Sequence, residues 1–341
     1  MALPRLRRAV LAAPMAGGVS TPALVIAVGE AGGLGQLAAG YLPPQTVEAQ
    51  VRQVQASGVP FGVNVFVAET MDPAREAEAV ERYRRRLQPL AEHLDAALPE
   101  PDWADTDHYR EKLDLLARLA PPVVSFTFGC PDPVDIQRLR DAGSAVVVTV
   151  TSAAEAQAAA AAGADALCVQ GFEAGGHRGT WDRRAVPESA GLLALLHETQ
   201  KVCDLPLIGA GGVMTSAQAA GALEAGAVAI QAGSAFLLVD EAGTRPAHRR
   251  ALTEPDRESV LTRAFSGRVG RGLANTWTAT FPDAPPTFPV VDQLTKPLRA
   301  RAGALEDPEH LNLWAGTGWR EARVGTAAEV VQRLDPALGR R

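Results

Sequence analysis

The stretch Val169-Gln170-Gly171-Phe172-Glu173-Ala174-Gly175-Gly176-His177-Arg178-Gly179-Thr180-Trp181 follows an apolar run, residues 166–169, that is typical of a buried strand. The strand ends at Gln170 and gives way to a glycine-rich loop that carries a single histidine. Glycine lets the backbone approach a ligand closely, and histidine has an ordinary pKa close to neutral pH. We therefore expect the chemistry of this protein at the end of this strand.

Apolar runs alternate with helix-like segments on both sides of that stretch. The predicted strands are residues 9–15, 34–39, 61–67, 123–128, 145–150, 166–170, 205–209 and 228–233. Most are near-continuous apolar runs, as expected when helices cover both faces of a parallel sheet. Eight such units predict an α/β fold, a (β/α)8 TIM barrel, whose active site lies on the loops after the carboxyl ends of the strands.

The alternation breaks twice. Residues 68–120 hold two charged segments with helical spacing, 73–98 and 107–119, which predict a helical insertion after strand three. Residues 240–341 exceed the eight units and form a C-terminal extension that we expect to pack over the barrel. Within this extension, helices are predicted at 246–252, 259–265 and 327–334. In the barrel, a helix is predicted at 188–200, after the glycine-rich loop. The barrel itself then comprises residues 1–67 and 121–239.

Composition narrows the class of protein. The 341 residues include 33 Lys and Arg against 39 Asp and Glu, a net charge of −6 that gives no reason to expect nucleic acid. Cys130, Cys168 and Cys203 are far apart and form no CxxC pair, which favours reduced thiols over disulfides or a zinc site. No signal peptide and no run of about 18 apolar residues is present. We expect a cytoplasmic protein with no membrane partner, and the sequence predicts no oligomeric state.

Glycine-rich loops follow predicted strands seven and eight, at residues 209–213 and 231–235. In TIM barrels these two loops form the recurrent phosphate site, where a short helix start donates backbone N–H groups. The residues expected to hold a phosphate are Gly211, Gly212, Gly233 and Ser234. Ordinary glycine turns are the alternative, and a P-loop is excluded because no GxxxxGK[ST] motif occurs.

Polar or polarisable side chains mark other strand ends. Asn64 interrupts an apolar strand, and Gln170 ends strand six. A buried polar side chain needs hydrogen-bond partners, which a bound heterocycle or the barrel itself can supply. Met15, after strand one, could lie against an aromatic ring or simply fill space.

His177 is the histidine best placed for chemistry. The other histidines, at 93, 108, 197, 248 and 310, lie on predicted helices or charged loops, where we expect them to be solvated. No HExxH motif or paired spacing indicates a metal site. Glu173 either orients His177 or is an exposed charge.

These segments resemble the nitronate monooxygenase family, formerly called 2-nitropropane dioxygenases. The matching segments are Ala13-Pro14-Met15-Ala16-Gly17-Gly18, Gly62-Val63-Asn64-Val65-Phe66, residues 170–179, 209–213 and 231–236, Ala264-Phe265-Ser266-Gly267-Arg268 and Leu313-Trp314-Ala315-Gly316. The resemblance implies a TIM barrel that binds FMN. The cofactor-binding residues it implies are Met15, Asn64, Gln170, Gly175, Gly211, Gly212, Gln231, Gly233 and Ser234.

The resemblance also implies that His177 is the catalytic base. A neutral imidazole can take the acidic α-proton of a nitroalkane; for a substrate that is already a nitronate, His177 instead holds the nitro oxygens. The chain departs from the family pattern at two positions: Ser234 stands where the family commonly has Thr, and Thr317 where Gln is expected. Lys296 is the downstream candidate for a substrate contact.

The function implied is oxidation of nitronates or nitroalkanes by oxygen to carbonyl compounds and nitrite. The alternative is an FMN-dependent NAD(P)H reductase of a quinone or an enoyl thioester, because it shares the loop around His177. A lyase or isomerase that binds a sugar phosphate, and a flavin-free binding module, are rivals from other classes.

Overall fold

The computed structural model describes residues 1–185, 189–335 and 337. The strands are β1 (Val10–Ala12), β2 (Gly35–Ala38), β3 (Phe61–Phe66), β4 (Val123–Thr127), β5 (Ala145–Val150), β6 (Ala166–Gln170), β7 (Gly176–His177), β8 (Leu207–Ala210), β9 (Ala227–Ala232), β10 (Ser259–Thr262) and β11 (Gly270–Leu273). The helices are α1 (Pro22–Glu30), α2 (Pro44–Gln55), α3 (Pro73–Leu94), α4 (Tyr109–Leu119), α5 (Pro133–Asp141), α6 (Ala153–Ala162), α7 (Leu192–Gln200), α8 (Ser216–Glu224), α9 (Pro246–Ala251), α10 (Thr276–Thr280), α11 (Val290–Ala304) and α12 (Ala327–Arg333).

Eight parallel strands form the barrel, in the order β1-β9-β8-β6-β5-β4-β3-β2. A bridge between Leu11 and Leu34 brings the two ends of this sheet together, and the Ala12 N–H donates to the Leu34 carbonyl at 3.0 Å. The predicted TIM barrel is therefore confirmed. The predicted strands 145–150 and 166–170 coincide with β5 and β6.

Local sequence signals set the ends of the helices. The Thr21 hydroxyl accepts the Leu24 N–H at the start of α1, and Thr215 forms a capping box with Gln218 at the start of α8. Gly163 ends α6 with φ of +98°. The predicted start of α7 at residue 188 lies outside the described residues, and the helix begins at Leu192.

The two helices of residues 68–120 pack in different places. Leu113 and Leu116 of α4 belong to the main core, and α4 contacts α2 and α5 on the outside of the barrel. Val80 and Leu87 of α3 belong to a second cluster that also contains Leu294 of α11. Helix α4 thus occupies the place of a barrel helix, and α3 joins the C-terminal extension. The division into barrel, insertion and extension stays a prediction.

The C-terminal extension contains a strand where a helix was predicted. Residues 259–265 do not form a helix; 259–262 are β10, and β10 pairs antiparallel with β11. β11 in turn pairs with β7, so that Gly270 lies opposite His177. The β-branched residues Val260 and Thr262 suit a strand, and the pairing partners, distant in sequence, decide the outcome.

Helix α11 was not predicted, because residues 285–299 are rich in proline. Pro297 lies inside the helix. Val291, Leu294 and Leu298 nevertheless repeat at helical spacing and are buried in the second cluster. Packing of this apolar face outweighs the hydrogen bond that the proline cannot donate.

No helix of the described residues is long and apolar enough to cross a membrane. Cys130, Cys168 and Cys203 are free thiols.

Candidate active site

A cavity of about 360 Å³ opens at the end of the barrel where the parallel strands terminate. The barrel loops form one side, and Lys296, Arg299 and Trp314 of the C-terminal extension line the other. The structure brings all of the predicted site residues to this cavity: Met15, Asn64, Gln170, Gly175, His177, Gly211, Gly212, Gln231, Gly233 and Ser234.

The glycine loops after β8 and β9 form a narrow cradle at one end of the cavity. Gly211 and Gly212 have φ of +118° and +70°, backbone angles that residues other than glycine rarely adopt. A 3₁₀ turn begins directly after Gly233, and the Ser234 hydroxyl oxygen in that turn accepts the Gly316 N–H at 2.8 Å. The Ser234 hydroxyl hydrogen remains available to an anion. Tight glycine turns beside a short helix start suit a phosphate group.

A polar layer crosses the barrel beneath the cavity. The Asn64 side-chain amide donates to the Ser125 hydroxyl at 3.0 Å, and that hydroxyl donates to the Gln36 side-chain amide oxygen at 2.9 Å. Gln36 donates to Gln231 at 2.5 Å, and Gln231 donates to the Cys168 sulfur at 3.3 Å. The side-chain amides of Asn64 and Gln231 are thus held by the barrel while both residues line the cavity.

The Gln170 side chain fastens the loop that follows it. Its amide donates to the His177 carbonyl at 3.1 Å, and its oxygen accepts the Gly179 N–H at 2.8 Å. The Arg178 guanidinium donates to the Gln170 carbonyl and, at 2.7 Å, to the Gly171 carbonyl. Together these hydrogen bonds fix the backbone on either side of the His177 side chain and so position the imidazole.

His177 lies in β7 and lines the cavity. Its Nε2 atom is 2.7 Å from the Ser266 hydroxyl oxygen. Ser266 was not among the predicted site residues, although it lies in a segment that matched the family. Its position next to His177 follows from the pairing of β7 with β11, which the sequence did not predict.

Burial, together with the positive charges of Arg268 and Arg299, lowers the pKa of His177 from 6.5 to about 3. The imidazole is therefore neutral at neutral pH. A neutral imidazole has one N–H donor and one acceptor nitrogen, so it can bind an oxygen or accept a proton.

Both arginines are held in place by carboxylates. Arg268 is buried, donates to Glu69 at 2.9 Å and lies 4.1 Å from the centroid of the Phe128 ring. Arg299 donates to Asp292 at 2.6 Å. Fixed positive charge near His177 disfavours the imidazolium and favours an anion brought to the ring or formed beside it.

Glu173 does not act on His177. Its carboxylate accepts the Leu192 N–H at 3.1 and 3.2 Å, which caps the start of α7. The Glu173 carbonyl accepts the Thr317 N–H at 3.0 Å. Thr317 thereby ties residues 316–318 to the loop that precedes His177.

The prediction that His248 is solvated was wrong. His248 is 8% exposed and lines the cavity, and burial lowers its pKa to about 4. Helix α9 gave the sequence no long apolar stripe from which its buried face could be identified. Lys296 is exposed at the edge of the cavity.

Acid should destabilise the protein through His177 and His248. Both have folded-state pKa values below the ordinary 6.5, so the unfolded chain binds more protons below pH 6.5. The stability they contribute is complete above about pH 6.5 and is lost as the pH falls towards 4 and then 3. We expect the Tm of wild type to fall between pH 7 and 4.5 by more than that of a His177→Asn, His248→Asn double variant.

Calorimetry of both proteins over this pH range measures the difference. Burial raises the pKa of Asp107 and of Asp292, so these two carboxyl groups make the folded state more stable as the pH falls. Both proteins contain them, and their contribution to Tm therefore cancels in the comparison. Parallel Tm curves would contradict the assignment of buried neutral imidazoles.

The family model for nitronate monooxygenase matches residues 6–336. The chain belongs to the nitronate monooxygenase family. It is 39% identical over 341 residues to a nitronate monooxygenase of Paraburkholderia phytofirmans, with 96% of this chain and 92% of that protein covered. It is 37% identical to a nitronate monooxygenase of Pseudomonas aeruginosa, with 96% and 95% covered.

One solved structure agrees with this family assignment, and another shows the fold. A nitroalkane oxidase from Streptomyces ansochromogenes matches with a TM-score of 0.94 and 43% identity, covering 98% of this chain and 97% of that one. FabK from Thermotoga maritima matches with a TM-score of 0.72 and 22% identity, covering 96% and 92%, which shows a shared fold.

Proposed function

We propose that this member of the nitronate monooxygenase family oxidises nitronates, and nitroalkanes once they lose a proton, with oxygen to give carbonyl compounds and nitrite. The observation that carries the proposal is the neutral His177 imidazole on the cavity wall, with the fixed charges of Arg268 and Arg299 close to it. A nitronate is an anion, so these charges favour its binding without protonating the imidazole.

We propose FMN as the cofactor, because the cavity offers a phosphate cradle at one end and polar amides along its floor. The residues proposed to hold the phosphate are Gly211, Gly212, Gly233 and Ser234, and those proposed to meet the isoalloxazine are Met15, Asn64, Gln170, Gly175 and Gln231. Bound FMN supplies the electron acceptor for the nitronate and the electron donor for oxygen. The protein supplies the binding, the orientation and the charge.

His177 has two uses, depending on the substrate. With a neutral nitroalkane, the proton on the α-carbon moves to the imidazole. The Ser266 hydroxyl contacts Nε2, so in the tautomer with the ring proton on Nε2 the other nitrogen, Nδ1, is the one that accepts it. The imidazolium so formed lies near two arginines, and the nitronate formed in the same step offsets this cost. With a preformed nitronate, the other tautomer donates its Nδ1–H to the substrate and no proton transfer is needed.

Two measurements on purified protein test the proposal. We expect bound-flavin absorbance, and oxygen uptake with ethylnitronate in the absence of NADH. Rapid anaerobic bleaching of the flavin by NADH, without nitronate oxidation, would instead support the reductase alternative. A protein that stays colourless after addition of FMN and desalting would exclude both flavoenzyme functions and leave the sugar-phosphate lyase or isomerase.

A further inference from the structure

A continuous wall of aromatic rings adjoins His177. The Tyr41 and Phe66 ring centroids are 5.4 Å apart, and those of Phe66 and Phe128 are 4.6 Å apart. The His177 ring centroid lies 5.7 Å from that of Phe128 and 5.1 Å from that of Trp314. All of these residues line the cavity. Aromatic residues make up only 5% of the chain, so this concentration around one histidine is a specific feature of the cavity.

Three of the rings come from consecutive barrel strands. Tyr41 follows β2, Phe66 ends β3 and Phe128 follows β4. Tyr41 and Phe128 have φ of +67° and +76°, in the left-handed region that bulky residues rarely adopt. Such conformations persist only where surrounding structure enforces them, and they concentrate at functional sites.

Buried charges contact both of these residues, at the Tyr41 backbone and at the Phe128 ring. The Asp107 carboxylate accepts the Tyr41 N–H at 2.9 Å and lies 2.8 Å from the ammonium of Lys112, whose side chain is fully buried. Arg268 stacks behind the Phe128 ring at 4.1 Å. An ion pair taken out of water costs free energy, and here it fixes the position of a ring on the cavity wall.

Carboxylates contact the positive charges nearest the wall, and two further cations border the cavity at its edge. Arg268 is paired with Glu69, and Arg299 with Asp292. Arg245 and Lys296 are exposed where they border the cavity. A substituent packed on the Phe66, Phe128 and Trp314 rings therefore meets aromatic carbon, while the charges of Arg268 and Arg299 act on the anionic end held at His177.

We propose that the substrates of this enzyme are nitronates whose nitro-bearing carbon carries an aryl or comparable flat apolar group. His177 binds the nitronate oxygens, and the apolar group packs on Phe66, Phe128 and Trp314. Aromatic rings gain from edge and offset contacts as well as from burial of apolar area. This inference rests on the proposed function and names the substrate class of the same site.

Initial rates of oxygen uptake by the wild-type holoenzyme test the proposal. The substrates are the nitronates of phenylnitromethane, nitroethane and 3-nitropropionate. We expect kcat/KM for the phenyl compound to exceed that for the ethyl compound at least tenfold. A binding measurement that needs no turnover accompanies it: benzoate, a planar analogue of the aryl nitronate, should bind the holoenzyme at least tenfold more tightly than acetate by titration calorimetry.

Two variants separate the wall from general packing. Phe66→Leu removes one ring, and we expect the phenyl-to-ethyl ratio of kcat/KM to fall at least fivefold, with a matching loss of the benzoate-to-acetate ratio. Phe281→Leu is the control, because Phe281 is buried in the second cluster and does not line the cavity. It should lower Tm and leave both ratios unchanged.

Each other outcome has a distinct meaning. Equal or lower activity on the phenyl compound, with ethylnitronate oxidised, overturns the substrate class and leaves the proposed function intact. A preference for the 3-nitropropionate compound also overturns it, in favour of a carboxylate bound by Arg245 and Lys296. Absence of oxygen uptake with every nitronate refutes the proposed function, and the benzoate-to-acetate ratio then still tests the wall.

Discussion

Replacement of His177 by asparagine is expected to reduce kcat/KM for neutral nitroethane by about 100-fold or more, the range typical of a lost general base. The loss with ethylnitronate should stay below about tenfold, because a nitronate needs no deprotonation and the asparagine amide can still donate a hydrogen bond. Bound flavin should be retained, since the predicted phosphate contacts lie on other loops. Oxygen uptake with both substrates and the flavin-to-protein ratio measure this.

The matched control is His197→Asn, because His197 is exposed on α7, a helix on the outside of the barrel. It should leave both rates unchanged. If His177→Asn lowers the two rates equally, His177 is not a base and serves only to hold the anion. That result would agree with its low pKa, which makes the neutral imidazole a weak proton acceptor in the absence of substrate.

The barrel was predictable because its signal is local. Each parallel strand is covered by helices on one face and core on the other, so β5 and β6 appear as uninterrupted apolar runs. Parallel strands also end at one edge of the barrel, which gathers residues as distant as Met15 and Ser234 around one cavity. A strand count was enough to place the predicted residues together.

The C-terminal extension was less predictable because its structure depends on distant partners. β10 is a strand through pairing with β11, and α11 is a helix despite Pro297. The aromatic wall illustrates the same limit: Tyr41 and Phe128 lie in sequence segments without a motif, and only their left-handed backbones and ring contacts distinguish them.

The charge state of His177 could not be predicted from its motif. It depends on burial and on Arg268 and Arg299, which lie about 90 and 120 positions away in the sequence. The same holds for the predicted flavin contacts. Gln170 was selected as a polar side chain at a strand end and Gln231 from the family resemblance. The structure shows that the Gln170 amide holds the loop and that the Gln231 amide belongs to the barrel interior.

Replacement of Gly175 by alanine is expected to weaken FMN binding at least tenfold and to lower Tm by several degrees. A Cβ at this position would lie 2.4 Å from the Gly316 nitrogen and 2.6 Å from the Ala315 carbonyl carbon, so backbone has to move. Gly316 donates to the Ser234 hydroxyl, and its displacement breaks a contact of the phosphate cradle. Overpacking of this kind typically costs about 1–3 kcal/mol.

Gly221→Ala is the control, because a Cβ there meets nothing within 4 Å and Gly221 lies inside α8. Alanine favours a helix over glycine by up to about 1 kcal/mol, so this variant should be as stable as wild type or more so. Flavin fluorescence during dilution measures the FMN dissociation constant, and calorimetry measures Tm. Tight FMN binding by Gly175→Ala, despite a lowered Tm, would mean that residues 315–316 can move without disturbing the cradle. Ser234 would then hold the phosphate without help from Gly316.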